Sequence, residues 1–324
     1  MKDVFFTWGG IGDSLVLLGA AYNYYKKFGE KPLIGTDFPF IKYANYARHV
    51  EKLSLKTLKT NFKETMDWLE ENKYNPVFIS ASGFSYLGPS YKNNVTTWPS
   101  KHMITRYCER MGIDGIIDIE IPITVEDINP VQKPKMPYIC VMCGGLQGYK
   151  SIPAETVQTV VDFLSKEFLV IQLGNAFDTK LNNAIDFRNC SLISAYSLLR
   201  DAVFFIGATG ALIHLAKAAN CTSVVLQTTG EPEVLTKYNG NIIIKPIDVC
   251  DICARNLLDP LRQPCFNDFK CIRNISAHQI ISVIKNNFSY LTSKRKLEPQ
   301  QELAISDKTS NLEDYYHSEK VLII

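Results

Sequence analysis

Residues 4–14 read VFFTWGGIGDS, and this stretch decides the fold of the chain. Its first five residues are apolar and aromatic, which predicts a short buried strand. The glycines at positions 9, 10 and 12 allow a tight turn. A helix is predicted to follow from Ser14 to about Lys27, with Asp13 or Ser14 as its N-cap. A strand, a glycine turn and a helix together form the first unit of an α/β fold.

The same alternation continues along the chain and is interrupted once. Before the interruption, strands are predicted at 32–35, 76–80 and 116–121, and helices at 62–72 and 103–111. After it, strands are predicted at 138–142, 168–173, 202–206 and 223–226, and helices near 157–164 and 212–219. This pattern implies parallel sheets covered by helices, and ligands in such folds bind beyond the carboxyl ends of the strands.

The interruption is a segment with prolines at 130, 134 and 137, separated by charged residues, which is typical of a linker. We therefore predict two Rossmann-like, doubly wound domains facing across a cleft. They comprise residues 1–128 and 138–294, joined by a linker at 129–137. Residues 295–324 are polar and show little periodicity, so we expect a mostly disordered tail.

Composition narrows the classes of partner. The 324 residues carry a net charge of +2 and are 46% hydrophobic, which is typical of a globular protein and gives no electrostatic reason to expect nucleic acid. No apolar run is long enough to span a bilayer, and the N-terminus lacks the features of a signal peptide. We expect a cytoplasmic protein with at most peripheral contact at the inner face of the inner membrane. The sequence is compatible with either a monomer or an oligomer.

The loop after the first predicted strand is a candidate ligand site. Gly9, Gly10 and Gly12 let the backbone approach a ligand, and the helix beyond offers free N–H groups for a phosphate. Asp13 can accept a proton from an attacking sugar hydroxyl, or it can merely cap the helix. The loop is not a P-loop, and Leu15 stands where a dinucleotide fingerprint has its third glycine.

Three more loops carry polar residues at strand ends or helix starts. Thr209, Gly210 and Ala211 open a helix that suits a diphosphate, and His214 in its first turn either approaches that ligand or bonds to a neighbouring carbonyl. Lys150 precedes a helix and either neutralises a diphosphate or is a solvated loop lysine. Asp178 follows the strand that ends at Gly174, and a carboxylate there can accept ribose hydroxyls.

The chain has nine cysteines, and four of them lie late in it, at Cys250, Cys253, Cys265 and Cys271. Four thiolates can form a closed tetrahedral site for zinc or iron. A loop as long as that at 248–275 requires a stabilising cross-link, which a bound metal would provide. We expect a structural rather than a catalytic metal, because four thiolates leave no open position. The alternative is four free thiols, two of them packed as small hydrophobic residues.

Taken in order, these motifs resemble those of the ADP-heptose:lipopolysaccharide heptosyltransferases, the glycosyltransferase family 9 type of the GT-B fold. GGIGDS at 9–14, KSIP at 150–153, Gly174 to Asp178 and GATGALIHLAKAAN at 207–220 carry the resemblance. Ala208 stands where many members have an aspartate. His214 lies four positions after Gly210, one more than in the lipopolysaccharide enzymes. This loop is more similar to that of the protein-glycosylating subgroup, which reads Glu-Gly-Gly-x-x-His. In that alignment Thr209 stands at the position of the glutamate.

The resemblance implies roles for the candidate residues. Asp13 would be the catalytic base, and Lys150 would bind the donor diphosphate. Gly174 would belong to the donor site, where Asp178 would bind the donor ribose, and the donor loop would contain Thr209, Gly210, Ala211 and His214. The four late cysteines resemble the iron-binding finger of the protein-glycosylating relatives.

The first domain would then bind the acceptor, with Tyr86, Trp98 and His102 as its walls, and the second would bind the nucleotide sugar. The implied activity is inverting transfer of a sugar, heptose favoured, from a nucleotide diphosphate to a glycan, lipopolysaccharide or protein, with no divalent metal needed for catalysis. A nucleotide-sugar epimerase or hydrolase of the same fold stays open, as does a non-catalytic nucleotide-sugar-binding subunit.

Overall fold

The structure is a computed structural model that describes residues 1–7, 10–36, 39–50, 62–79, 101–124, 131–144, 150–227, 236–247 and 269–293. Within these ranges the chain builds two separate parallel sheets. We call residues 1–124 the first half and residues 131–293 the second half, because each contains one sheet.

The first half has four strands and three α-helices in its described residues. The strands are β1 (Lys2–Thr7), β2 (Leu33–Gly35), β3 (Arg48–His49) and β4 (Tyr74–Ile79). The helices are α1 (Ile11–Phe28), α2 (Phe62–Glu71) and α3 (Met103–Arg110), with a 3-10 helix at Pro39–Tyr43. All strand pairs are parallel, and their order is β3-β2-β1-β4.

The second half has six strands in its described residues, again all parallel. They are β5 (Tyr138–Met142), β6 (Leu169–Gln172), β7 (Ile185–Asp186), β8 (Phe205–Ala208), β9 (Ser223–Leu226) and β10 (Ile242–Ile244). The helices are α4 (Ala154–Leu164), α5 (Leu192–Asp201), α6 (Ala211–Ala218), α7 (Lys270–Arg273), α8 (Ala277–Asn286) and α9 (Phe288–Ser293).

The strand order determines where the loops that follow the strands lie. Read from β7, the second sheet runs 3-2-1-4-5-6 within its own half, and the first sheet runs 3-2-1-4. This is the order of a doubly wound nucleotide-binding fold, in which the direction of winding reverses next to the first strand. The loops after β1, β5 and β8 therefore lie at the two points of reversal, where such folds bind ligands.

Two of the predicted elements need correction. Residues 116–121 do not form a strand: the side chain of Ile116 is fully exposed, and the backbone N–H and C=O of Asp118 bond to the Asn23 side chain instead of to a neighbouring strand. The strand predicted at 202–206 begins only at Phe205, because Ala202 still closes α5 through its backbone N–H.

The core is continuous across both halves. Leu15, Val16 and Leu17 of α1 are almost completely buried and belong to the same apolar cluster as Ile213 and Leu215 of α6. Helix α1 is thus covered on one side by its own sheet and on another by a helix of the second half. The start of α1 consequently lies at the junction of the two halves.

Candidate active site

Asp13 lies in the first turn of α1, directly after β1. The helix begins at Ile11 with Gly10 as its N-cap, so neither Asp13 nor Ser14 is the N-cap, contrary to the sequence-based prediction. Gly10 can occupy the cap because the turn at the strand end needs no side chain. Asp13 then stands three residues beyond the cap, a position from which a carboxylate can reach back toward free N–H groups. Gly9 lies outside the described residues.

The Asp13 carboxylate is held by a tyrosine that the sequence motifs do not single out. Tyr107 of α3 is completely buried, and its hydroxyl donates to Oδ1 of Asp13 at 2.8 Å. The same hydroxyl lies 3.4 Å from Oγ1 of Thr7, at the end of β1. Tyr107 stands on the apolar face of α3, where a sequence pattern identifies only a core residue, so its hydroxyl contact was not detectable from local sequence.

Opposing effects act on the pKa of Asp13. Burial raises that pKa above its ordinary value, whereas the Tyr107 hydrogen bond, the positive charge of Lys150 and backbone N–H groups of Gly10 and Asp13 lower it. The net shift is upward. A carboxylate with a raised pKa is a stronger proton acceptor than a surface carboxylate, provided that it is ionised at the working pH.

The start of α1 lies against the start of α6. A Cβ atom placed on Gly12 would be 3.2 Å from Cδ2 of His214 and 3.4 Å from Cα of Ala211. Even a methyl group at this position would require His214 or the helix backbone to shift by a few tenths of an ångström, which favours glycine. The structure therefore brings the loop after β1 together with the loop after β8, as the proposed site requires.

His214 is buried at this junction, and its Nδ1 lies 2.6 Å from the hydroxyl of Tyr238. Burial, together with charge repulsion from His102 and Lys150, lowers the pKa of His214 to about 3. His214 is therefore neutral at physiological pH. It is paired with a tyrosine side chain and not with a neighbouring carbonyl, the simpler alternative considered from the sequence.

Lys150 joins this group through its charge. Its positive charge lowers the pKa of both Asp13 and His214, so its ammonium group lies within electrostatic range of the two side chains. Asp13 comes from the first half, and Lys150 and His214 come from the second. Three of the residues singled out in the sequence thus converge, although they are up to about 200 positions apart in the chain.

Asp178 lies beyond the carboxyl ends of the adjacent strands β5 and β6, against Gly144 and Gly174. Cβ atoms placed on Gly144 and Gly174 would overlap its carboxylate, so the two glycines leave the space that this side chain occupies. Its Oδ2 accepts from the backbone N–H of Asn175 at 2.9 Å. Burial raises the pKa of Asp178, and Arg188 opposes that shift. In this structure the carboxylate closes its own turn at the carboxyl edge of the sheet.

The remaining residues of the predicted donor loop follow β8. Thr209 is buried, and its backbone N–H donates to the carbonyl of Leu226 on the adjacent β9. Gly210 is the N-cap of α6, and Ala211 is its first residue. The loop is thereby fixed at the carboxyl edge of the sheet, with the helix start directed at the junction.

The predicted metal site lies mostly outside the described residues, as Cys250, Cys253 and Cys265 do; Cys271 is a partly buried residue of α7. Of the predicted acceptor walls, Tyr86 and Trp98 also lie outside them, and His102 is buried as the N-cap of α3. Within the described ranges no group of three or more His, Cys, Asp or Glu side chains suits a metal ion. None of the helices described is long and apolar enough to cross a bilayer.

Two parallel doubly wound sheets with their strand ends meeting at one junction define the GT-B fold of glycosyltransferases. Several solved structures of this class are similar to the chain. The chain is similar to the iron-containing dodecameric glycosyltransferase TibC from enterotoxigenic E. coli H10407, at 18% identity and a TM-score of 0.66, over 90% of this chain and 78% of TibC.

Two further solved structures have the same architecture. One is the glycosyl transferase family 9 protein from Veillonella parvula, at 13% identity, a TM-score of 0.64, and coverage of 91% of this chain and 98% of that one. The other is the E. coli ADP-heptose lipopolysaccharide heptosyltransferase II, at 12% identity, a TM-score of 0.63, and coverage of 91% and 99%. No protein-family model and no curated protein matches the sequence. The GT-B fold of the heptosyltransferases, which the sequence motifs predicted, is confirmed.

Proposed function

We propose that the protein is an inverting glycosyltransferase that moves a sugar, heptose favoured, from a nucleotide diphosphate to a surface glycan, lipopolysaccharide or protein acceptor. The observation that supports this most strongly is the convergence of Asp13, Lys150 and His214 at the junction of a GT-B fold. TibC has been solved in complex with ADP-D-β-D-heptose, and heptosyltransferase II is an ADP-heptose enzyme, which favours ADP-heptose as donor.

In the proposed mechanism Asp13 removes the proton from the acceptor hydroxyl as that oxygen attacks the anomeric carbon of the donor. The bond from that carbon to the diphosphate breaks, and the diphosphate leaves with the electron pair. The positive charge of Lys150 and the N–H groups at the start of α6 stabilise the leaving group as its negative charge develops. Attack from the side opposite the diphosphate inverts the anomeric centre.

Asp178 is proposed to bind the donor ribose, with Thr209, Gly210 and His214 on the diphosphate and sugar. Asp178 stands at the carboxyl edge of the second sheet, where doubly wound folds commonly place an acidic residue on ribose. Within the described residues its carboxylate oxygens accept only from the Asn175 backbone N–H, and Arg188 bonds to the backbone carbonyl of Asp178, so the carboxylate retains acceptor capacity.

The test is transfer by the purified full-length chain from ADP-heptose, with ADP-, GDP- and UDP-hexoses as competitors. The acceptors are lipopolysaccharide core fragments and surface proteins from a heptose-deficient strain. We expect release of nucleotide diphosphate together with a glycosylated acceptor of inverted configuration. Asp13→Asn should reduce transfer by about 100-fold or more, because general-base catalysis contributes factors of that order. Asp114→Asn, which removes an exposed carboxylate, is the matched control.

The reaction product distinguishes the transferase from the alternative functions. Free sugar or an epimerised nucleotide sugar, without glycosylated acceptor, would indicate the hydrolase or epimerase. Thermal stabilisation by a nucleotide sugar without any turnover would indicate a binding subunit; a saturating ligand at 100 times its Kd adds about 2.7 kcal/mol of stability.

The four late cysteines are proposed to hold a structural iron or zinc ion. TibC is described as iron-containing, and a Cys-x-x-Cys pair with two further cysteines provides the thiolates that either metal accepts. Elemental analysis of the purified protein should show about one metal per chain. Cys253→Ser should reduce that content, and an equal content in the variant would contradict the assignment.

A further inference from the structure

A tyrosine from the second half lies between two histidines, one from each half. The Tyr238 ring is 4.8 Å from the His102 ring and 5.7 Å from the His214 ring, in edge-to-face arrangements. All three side chains are buried. Lys217, which lies 5.8 Å from the centre of the Tyr238 ring, pairs with Glu120 of the first half at 2.7 Å. Tyr238 is therefore fixed in place by groups from both halves.

The hydrogen bond between Tyr238 and His214 has a direction that follows from the available partners. Within the described residues, Nδ1 of His214 is the one hydrogen-bond partner of the Tyr238 hydroxyl. If Nδ1 carried the proton, the buried phenol proton would have no acceptor among the described residues, and an unpaired buried donor costs about 1–3 kcal/mol. The hydroxyl therefore donates to Nδ1, and the proton of the neutral imidazole is on Nε2.

The Nε2 atom lies beside the first turn of α1. It lies 3.7 Å from the Cβ position of Gly12, next to the first turn of α1 that bears Asp13. An N–H at this atom can donate to a hydroxyl or phosphate oxygen, whereas the other tautomer would present a lone pair and repel it.

We propose that Tyr238 is a positioning residue that holds His214 in its Nε2–H tautomer, so that His214 meets an oxygen of the bound nucleotide sugar as a hydrogen-bond donor. The identity of that oxygen rests on the proposed function, whereas the tautomer does not. Neither the sequence motifs nor the fold comparisons single out Tyr238. Tyr238 acts through the imidazole and touches no reacting atom.

The first measurement is the pair of imidazole ¹⁵N chemical shifts of His214 in the full-length wild-type protein, labelled at its five histidines. The His214→Gln variant identifies the signal. The two neutral tautomers differ in which nitrogen is of the protonated type, so the spectrum reports the tautomer without substrate and without turnover. We expect the protonated-type signal at Nε2. A protonated-type signal at Nδ1 would overturn the proposal.

The second measurement compares Tyr238→Phe with Tyr138→Phe. Tyr138 is also buried, and its hydroxyl donates to the Leu198 carbonyl at 2.9 Å, so the control loses a similar hydrogen bond in the same half. We expect Tyr238→Phe alone to give a mixture of His214 tautomers and to raise the KM for ADP-heptose about tenfold, with a smaller change in kcat.

An unchanged His214 spectrum in Tyr238→Phe would refute the positioning role, as would an equal rise of KM in both variants. If the wild type neither binds nor uses ADP-heptose, the proposed donor is wrong, and the histidine spectra still decide whether Tyr238 sets the tautomer. Failure of the proposed donor can thereby be distinguished from failure of the positioning role of Tyr238.

Discussion

The hydroxyl of Tyr107 lies 2.8 Å from Oδ1 of Asp13, and it is the strongest single factor that keeps the pKa of that carboxyl group from rising further. The two residues are 94 positions apart, and α3 delivers the tyrosine to the start of α1. Each carboxylate oxygen has two lone pairs, so Asp13 can still accept a proton while Tyr107 and the backbone N–H groups of Gly10 and Asp13 bond to it.

Tyr107→Phe should shift the acidic limb of the pH profile of kcat/KM to higher pH. The base must be ionised, so activity falls as the pH falls through the pKa of Asp13. Loss of the hydrogen bond removes a contribution that lowers this pKa, so the limb moves upward. The measurement is kcat/KM for transfer between pH 4.5 and 8. Tyr46→Phe, which loses a bond to the Pro122 carbonyl in the same half, should leave the limb in place.

Lys150→Met should weaken donor binding about 10- to 100-fold, the range expected for a hydrogen bond to a charged group. Lys150→Arg should restore part of the loss because it keeps the charge. Titration with ADP, monitored by calorimetry, gives the affinities. Equal affinities for all three proteins would show that Lys150 does not contact the diphosphate.

Gly12→Ala should reduce donor affinity more than it reduces stability. The added methyl group would lie 3.2 Å from Cδ2 of His214, so the ring or the helix has to move by a few tenths of an ångström. The helix propensity of alanine is about 1 kcal/mol more favourable than that of glycine, and this difference offsets the loss of folding stability caused by the strain. It does not restore the position of His214, on which donor binding depends. Thermal unfolding and ADP binding measure the two effects, and Gly12→Val should be worse in both.

Stability should fall as the pH falls below neutrality, and His102 accounts for part of that slope. Burial lowers the pKa of His102 to about 4, whereas the unfolded side chain titrates near 6.5. Between those values the unfolded chain binds a proton that the folded chain does not. Each such histidine therefore removes about 1.4 kcal/mol of stability per pH unit of acidification.

His102→Asn tests this effect and retains a side chain that can cap α3. Because His214 contributes in the same direction, the slope of unfolding free energy between pH 7 and 5.5 should fall by about half. Urea denaturation at several pH values provides the slope. His278→Gln, which removes an exposed imidazole, is the control. An unchanged slope in His102→Asn would contradict the assignment.

The alternation of strands and helices was predictable because period and composition are local properties. The buried strand at Ser223–Leu226 has the predicted bounds, and the loops that follow β1 and β8 stand where the glycines placed them. The predicted strand at 116–121 failed because its apolar alternation matches a strand, whereas Asn23, almost a hundred positions away, provides its backbone partners.

The candidate site was predictable in part for the same reason. Asp13 and His214 stand next to glycines at strand ends, which is a local signal. Tyr107 and Tyr238 carry no such signal: one is on an apolar helix face, and the other is in the connection between β9 and β10. Their hydroxyl contacts depend on how the two halves pack, which no window of sequence contains.

The contacts that helix α6 receives from the first half include Gly12 against His214 and the ion pair of Glu120 with Lys217. Any opening between the halves has to break both at once, because they end on the same rigid helix. Exchange of a spent nucleotide for a fresh one would then proceed as one concerted rotation, and turnover of the enzyme would be paced by that rotation when bond breaking is fast.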